Sequence, residues 1–322
     1  MSRTRLKMAG RTAVYHCISR VVGGQRLLDE VCRERLTSMM WRMAGFCGIE
    51  IITFCLMANH IHILVRVPPK IEITDQELLA RLKLIYNRQE IPVLLAERAL
   101  KERGKIDERL REAWMGRMGD VSLFMKGLKQ RFSRWYNRVH NRYGTFWAER
   151  FKSVVVEDRR SCVEAVAAYV DLNPVRAGLV RDPKEYRHCG YAEALAGNKL
   201  ARKGLMSFLW EKKWEEAAAS YRMRLFVTGG GVHQYGKVEL SREAIREVLA
   251  QGGQLSVAEV LRLRVRHMSD GVALGSRAFV EEVFAQNREK FGAKRKTGAR
   301  PIKALSAIGL TSLRDLRVRA LS

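Results

Sequence analysis

The sequence predicts an α+β fold in which helices cover an antiparallel sheet, followed by a mainly α-helical, basic region. Three observations favour this fold. Short runs rich in β-branched residues and bounded by glycine or proline are typical of strands, and they occur in the first half of the chain. Longer segments with apolar residues at helical spacing lie between them. Beyond about residue 200 the patterns are helical, and a run rich in lysine and arginine follows.

The first four predicted elements are a strand, a helix and two more strands. The first strand, Ala13 to Arg20, ends at a double-glycine turn, and a helix follows from about Asp29 to Cys47. The segment from Ile49 to Met57 is nearly all apolar, as expected of a central strand. Only two residues separate it from the strand that ends at Val67, so these two strands are predicted to form a tight hairpin.

A second helix and a fourth strand complete the predicted core after a charged helical insertion. The insertion, at about 71–120, begins with the capping box of Thr74 and Glu77, and we expect it to carry no chemistry. The helix from Leu123 to Val139 has a predicted buried stripe of Phe124, Leu128, Trp135 and Val139. With a strand at 146–156, the order is β-α-β-β-α-β, a ferredoxin-like core with helices backing an antiparallel sheet.

The charge of the chain indicates a polyanionic partner. The 322 residues include 59 Lys+Arg and 34 Asp+Glu, which gives a net charge of +25. An excess of this size favours nucleic acid. An anionic membrane surface is the competing partner, but there is no long apolar span, so we predict DNA and no membrane association. No secretion signal is recognised and the six cysteines lack CxxC spacing, so we expect reduced thiols and a cytoplasmic location.

Three groups of basic residues are predicted to contact DNA. The first is the outer face of the helix 123–139, with Lys126, Lys129, Arg134 and Arg138. The second precedes the apolar end of the strand 146–156 and consists of Arg150 and Lys152. The third is the C-terminal run, with Lys294, Arg295, Lys296 and Arg300. For the helix, a merely solvated charged face is the alternative, and the net charge favours DNA.

We divide the chain into a catalytic domain at 1–198 and a helical, basic DNA-binding domain at 199–322. Helical patterns at 241–250, 256–266 and 277–289 precede the basic run, as in a helix-turn-helix DNA binder with a tail. A small helical protein-interaction module is the alternative. We expect the catalytic domain to hold single-stranded DNA at its own site, through the basic helix 123–139, without help from the second domain.

Two histidines on one strand are the first candidates for chemistry. Alternate side chains of a strand point to opposite faces, so His60 and His62 project together while Ile61 and Ile63 face a core. Neutral imidazole is the commonest metal ligand in proteins. The spacing alone also leaves open one histidine bonded within the sheet and one solvated histidine.

A tyrosine on the next helix is the candidate nucleophile. The helix from Asp158 to Leu172 ends before the Asn-Pro pair, and Tyr169 and Asn173 are one turn apart on one face. A metal on two histidines polarises a phosphate oxygen, which makes attack by a tyrosine hydroxyl feasible. Because eight other tyrosines are present, the residue type alone also allows Tyr169 a packing role.

Four ordered motifs resemble those of the single-tyrosine HUH transposases, most closely the REP-associated tyrosine transposases. They are NHIHILV, FMKGLKQRFSRWYNRVH, FWAERFKSVVVED and AAYVDLNPVRAGLV. The resemblance covers about Arg11 to Gly197, apart from the insertion. It implies that His60 and His62 bind a divalent metal, magnesium or manganese, and that Tyr169 is the nucleophile. Asn173 falls where family members place a third ligand.

The resemblance implies a metal-dependent endonuclease and strand transferase that acts on single-stranded DNA through a 5′-phosphotyrosine. Its implied substrates are hairpins of repetitive extragenic palindromes, with a short single-stranded guide, at the bacterial nucleoid. One alternative is a hairpin-binding regulator without catalysis, and another is a metal phosphoesterase that uses water. The sequence leaves a monomer and a homodimer equally open.

Overall fold

The computed structural model of the chain describes residues 6–8, 10–69, 72–229, 267–302 and 309–314. The predicted helices at 241–250 and 256–266 lie outside these ranges. The predicted helix at 277–289 lies within them and spans Arg277–Ala285. In the described ranges, no helix is both long and apolar enough to cross a bilayer.

The elements follow the predicted order. The part up to the fourth strand contains β1 (Ala13–Arg20), α1 (Glu30–Cys47), β2 (Glu50–Leu56), β3 (His60–Val67), α2 (Asp75–Ile85), α3 (Ile91–Arg103), α4 (Glu108–Met115), α5 (Val121–Val139) and β4 (Lys152–Val156). Five helices follow: α6 (Arg160–Asp171), α7 (Asn173–Arg176), α8 (Gly190–Leu195), α9 (Lys199–Met206) and α10 (Trp214–Gly229). The described C-terminal part contains α11 (His267–Asp270), β5 (Ala273–Gly275), α12 (Arg277–Ala285), β6 (Arg300–Pro301) and β7 (Thr311–Leu313).

The sheet confirms the ferredoxin-like core and adds to it. Its strand order is β2-β3-β1-β4-β5-β7-β6, and each neighbouring pair among the first four strands is antiparallel. The strand β5 pairs with β4 in parallel, and β7 and β6 follow in antiparallel pairs. The C-terminal region, predicted as mainly helical, thus also contributes three strands to the same sheet. Each has three residues or fewer, too short for an alternating pattern to be read.

Each face of the sheet is covered by its own layer of helices. Along β3, Ile61, Ile63 and Val65 point into the first core, which contains buried residues of α1, α2 and α5. Leu64 points the other way, into the second core with α6, α8, α9 and α10. The strand alternates as predicted, and His62 therefore lies on the face covered by α6.

The insertion forms the three helices α2, α3 and α4 and packs on the first face. Its start is the predicted capping box, in which Glu77 accepts from the backbone N–H of Thr74 at 2.8 Å and donates its own N–H to Thr74 Oγ1 at 3.2 Å. Leu78, Leu82 and Trp114 join the same core as α1 and α5. The insertion therefore lies across the sheet from His62.

Two predicted details of the core are wrong at its edges. Val139, expected in the buried stripe of α5, is 58 % exposed because it is the last residue of the helix. The strand predicted at 146–156 begins only at Lys152. Phe146 and Trp147 before it are buried, and the Phe146 ring lies 5.1 Å from that of Phe132 on α5. Only an isolated antiparallel bridge, between Val21 and Trp147, continues the sheet there, and aromatic packing buries the two side chains.

Candidate active site

Three histidines meet on the second face of the sheet. His60 and His62 project from β3, as predicted, and their ring centroids are 5.0 Å apart. His16 projects from β1, whose residue Ile18 is the register partner of His62, and its ring stacks 5.1 Å from that of His62. His16 Nε2 is 2.9 Å from His62 Nδ1. The first part of the alternative from the spacing holds, because His62 is bonded within the sheet to His16. The second part does not, because His60 is half-buried and bonded to Asn59.

Burial keeps these histidines neutral. Removal from water disfavours the charged imidazolium, and it lowers the pKa of His16 and of His60 to about 4. The pKa of His62 falls well below its usual value because of burial, and the neighbouring His16 and His60 lower it further. Neutral imidazoles with an available lone pair are the form that binds metals.

Tyr169 projects from α6 onto the histidines. Its ring centroid is 5.9 Å from that of His62 and 5.8 Å from that of His16, both in edge-to-face contact. The tyrosine is half-buried, whereas its neighbours Ala168 and Val170 are buried in the second core. The small apolar side chains of α6 pack in the second core, and this packing places the Tyr169 ring beside the histidines.

The end of α6 is anchored by a buried carboxylate. Asp171 accepts hydrogen bonds from Thr53 Oγ1 on β2 and from Tyr221 Oη on α10, each at 2.7 Å, and from the backbone N–H of Tyr191 at 3.3 Å. Burial raises the pKa of Asp171 to about 7 against the effect of these donors. Because Asp171 follows Tyr169 by two residues, this network fixes where the tyrosine stands.

Asn173 and Arg176 flank the tyrosine from the next turn. Asn173 donates its amide N–H to the carbonyls of Tyr169 at 3.0 Å and Val170 at 3.2 Å, which leaves Oδ1 as its acceptor end. The guanidinium of Arg176 lies 4.1 Å from the Tyr169 ring centroid and donates to the Tyr169 carbonyl at 3.0 Å. Burial lowers the pKa of Arg176 to about 10, so it stays charged at neutral pH.

The donor set fits a divalent metal. Nδ1 of His60 bonds Asn59 Oδ1 at 2.7 Å and Nδ1 of His62 bonds His16, so Nε2 is the atom that each ring has left for a ligand. Metal-binding histidines usually engage their other ring nitrogen in this way. In the described ranges there is no group of three or more His, Cys, Asp or Glu side chains for a metal. Among the described residues, Asn173 Oδ1 is a candidate third ligand beside the two histidines.

Basic side chains line a small cleft beside the histidines. Its walls include Arg20, Arg150 and Lys152, together with Ile18, Glu149, Ser269 and Asp270. Arg20 on β1 is the register partner of His60 on β3. Lys152 on β4 is the register partner of Ile18 on β1. Lys152 also pairs with Glu149 at 3.6 Å. The structure thus brings two of the predicted basic residues, Arg150 and Lys152, to the side of the sheet on which the histidines lie.

The basic helix α5 lies elsewhere. Its buried residues belong to the first core, so Lys126, Arg134 and Arg138 are exposed on the opposite side of the sheet from Tyr169. Lys129 donates to the Glu149 carbonyl at 2.7 Å and lies over the Trp147 ring. Three of its four basic residues therefore point away from the face that carries Tyr169, and the expectation that this helix holds a strand beside Tyr169 stays a prediction.

The C-terminal basic residues divide into two kinds. Lys294, Lys296 and Arg300 are exposed. Arg295 donates to the carbonyls of Thr297 at 2.9 Å and Gly298 at 2.8 Å, and also to that of Arg314. Its guanidinium also lies 5.2 Å from the Phe291 ring centroid. Arg295 thus joins residues 297–298 to Arg314 by hydrogen bonds.

Sequence reasoning missed His16, Arg20 and Arg176. The alternation of β1 places His16 on the face of Val14 and Ile18, but only the β1–β3 register brings it to His62. Arg176 lies seven residues after Tyr169, two helical turns on, within a motif already recognised. Because the sequence predicts that the helix ends before Asn173 and Pro174, the pattern did not indicate that Arg176 and Tyr169 lie on the same side.

Comparison with known proteins gives three results. No protein of curated function matches the chain. A solved structure of a REP-associated tyrosine transposase bound to a REP hairpin is similar at 15% sequence identity and a TM-score of 0.38, covering 61% of this chain and 87% of that chain. The family model described as "Transposase IS200 like" matches residues 11–90, which include His60 and His62 and end before Tyr169. The match to the IS200-like transposases confirms the family resemblance over the segment from β1 through α2.

Proposed function

We propose that this chain is a metal-dependent nicking and joining enzyme for single-stranded DNA, with Tyr169 as its nucleophile. The observation that supports this most directly is the edge-to-face contact of Tyr169 with His62, 5.9 Å between ring centroids. The tyrosine lies on α6, and the two histidines that it contacts lie on β1 and β3. The Nε2 atom of His62 is available, as is that of the adjacent His60, and a tyrosine beside such a pair suits metal-assisted attack on a phosphodiester.

In this proposal His60, His62 and Asn173 hold magnesium or manganese. When bound, the metal polarises an oxygen of the scissile phosphate and offsets the charge that develops there. Asn173 Oδ1 is a hard oxygen donor, which both of these metals favour. Its amide N–H bonds to Tyr169 and Val170 fix the direction in which Oδ1 faces.

Tyr169 carries out the covalent step. Its Oη forms a bond to phosphorus, the bond from phosphorus to the 3′ oxygen breaks, and the 3′ oxygen leaves as a hydroxyl with the proton released by the phenol. The product is a 5′-phosphotyrosine. Attack by a second 3′-hydroxyl reverses the step and restores the tyrosine, so joining needs no external energy source.

Arg176 and the basic cleft assist this step. The Arg176 cation over the Tyr169 ring favours the phenolate that forms as the proton leaves. We propose that Arg20, Arg150 and Lys152 bind phosphates of the strand beside His60, because they line the cleft on that side. Lys294, Lys296 and Arg300 are proposed to bind another part of the DNA, the duplex stem of a hairpin. The hairpin substrate is carried over from the family resemblance.

A cleavage assay with labelled single-stranded and hairpin oligonucleotides tests the proposal. In Mg²⁺ or Mn²⁺, the wild type should give a protein–DNA adduct that survives denaturing electrophoresis, and Tyr169→Phe should give none. Tyr143→Phe is the matched control, because Tyr143 is 90 % exposed. Cleavage without an adduct would favour the phosphoesterase. Tight hairpin binding without cleavage in any divalent metal would favour the regulator.

A further inference from the structure

We propose that His16 is a positioning residue that fixes His62 as a metal ligand, through a hydrogen-bonded chain that ends on the Met268 carbonyl in the C-terminal region. We call these hydrogen-bonded groups, the Met268 carbonyl, His16 and His62, the histidine relay. The inference rests on the proposed function, since it concerns the metal that this function requires.

The Met268 carbonyl at the end of the relay determines the direction of each hydrogen bond in it. The Met268 carbonyl oxygen lies 2.7 Å from His16 Nδ1 and accepts hydrogen bonds only, so His16 carries its proton on Nδ1. A neutral imidazole has one N–H, and His16 Nε2 is therefore an acceptor. It lies 2.9 Å from His62 Nδ1, which must donate to it. His62 is left with its lone pair on Nε2, the atom available to the metal.

Water is excluded from this part of the relay. His16 is fully buried and His62 is 3 % exposed, so solvent offers no substitute partner for either Nδ1 atom. A buried donor without an acceptor is costly, which makes the tautomer of His62 depend on His16. His16 also contacts the ring of Tyr169, so it supports the ligand and the nucleophile together.

The relay ties the C-terminal region to the catalytic face. Met268 belongs to α11, directly before β5, and β5 pairs with β4 at Val155 and Ala273. The N–H of Val155 donates to the Val272 carbonyl at 2.9 Å, which holds α11 against the sheet. The expectation that residues 1–198 form a self-sufficient site conflicts with this contact, because the last acceptor of the relay lies outside them.

The tautomers of the wild-type protein give the first test. Long-range ¹H–¹⁵N spectra of the full chain, labelled at histidine and without metal, separate the Nδ1–H and Nε2–H forms. His16, His60 and His62 should all show the Nδ1–H form, with signals assigned from single His→Gln variants. An Nε2–H form at His16 or His62 overturns the relay, and no activity measurement is needed.

Metal binding to two variants gives the second test. His16→Leu removes the acceptor and should weaken Mn²⁺ binding, followed by electron paramagnetic resonance, by about 10- to 100-fold. His16→Gln can place a carbonyl oxygen near the position of Nε2 and should restore most of the affinity. Equal affinity in both variants and the wild type overturns the inference. Absence of Mn²⁺ binding by the wild type contradicts the proposed function, and the tautomers then decide the relay by themselves.

Discussion

At the scale of single residues, the Arg176 guanidinium over the Tyr169 ring predicts a rate effect. Arg176→Met should slow adduct formation at saturating DNA by roughly 2- to 30-fold, which corresponds to a cation–π contribution of about 0.5–2 kcal/mol. Single-turnover kinetics with a labelled oligonucleotide measures this effect.

A matched variant separates the effect of the Arg176–Tyr169 contact from the general effect of removing an arginine that lies over an aromatic ring. Arg160 lies 4.9 Å from the Trp210 ring centroid and begins the same helix, α6, but it is not at the histidines. Arg160→Met should keep the wild-type rate. If both variants behave alike, the role assigned to Arg176 is wrong.

His188 predicts how stability responds to acid. Burial lowers its pKa to about 4, and Arg33 and Arg187 add to this effect, while the unfolded chain titrates near 6.5. Between these values the unfolded state binds more protons, so the contribution of His188 to stability is lost as pH falls from about 6.5 to about 4.

His188→Gln should therefore make the unfolding temperature less sensitive to pH in that window, when each protein is compared with itself at pH 7.5. Thermal unfolding in a pH series measures the difference. An identical pH dependence in variant and wild type would contradict the assignment.

At the scale of elements, one glycine, Gly204, allows the close approach of α9 to β2. A Cβ atom on Gly204 would lie 2.2 Å from the Ile51 carbonyl oxygen and 2.7 Å from that of Ile52, both of them backbone atoms that cannot rotate away. Gly204→Ala should destabilise the protein by about 1–3 kcal/mol despite the higher helix propensity of alanine. Gly292→Ala is the control because no atom lies within 4 Å of its Cβ position. Comparable unfolding temperatures for both variants would show that α9 can shift.

Elements with a clear period were predictable from the sequence, and pairings between distant elements were not. The alternation of β3 gave the common face of His60 and His62, and the capping box gave the start of the insertion. The role of His16 depends on the β1–β3 register, which side-chain patterns do not specify. Lys129 and Arg295 bond to carbonyls of distant or neighbouring residues, and their charge alone does not predict these contacts.

At the scale of the whole molecule, basic residues on both sides of the sheet predict different effects on DNA binding. Replacing Arg150 and Lys152 by Gln should weaken binding of a short single strand and reduce its salt slope by about 1.4, for two phosphate contacts at about 0.7 each. Replacing Lys126 and Arg134 on α5 should leave this binding and its cleavage nearly unchanged. Titrations by fluorescence anisotropy at several salt concentrations measure both. The reverse ranking would place the strand on the face of the insertion.

The bond between His16 and Met268 joins residues 252 positions apart in the chain. During synthesis, His60, His62 and Tyr169 leave the ribosome well before Met268 does. A polypeptide that stops before Met268, at a premature stop codon or by proteolysis, therefore carries the proposed nucleophile without the acceptor that orients His16. If the relay acts as proposed, such fragments bind the metal weakly and cut DNA poorly, so efficient cutting begins only after translation has passed Met268.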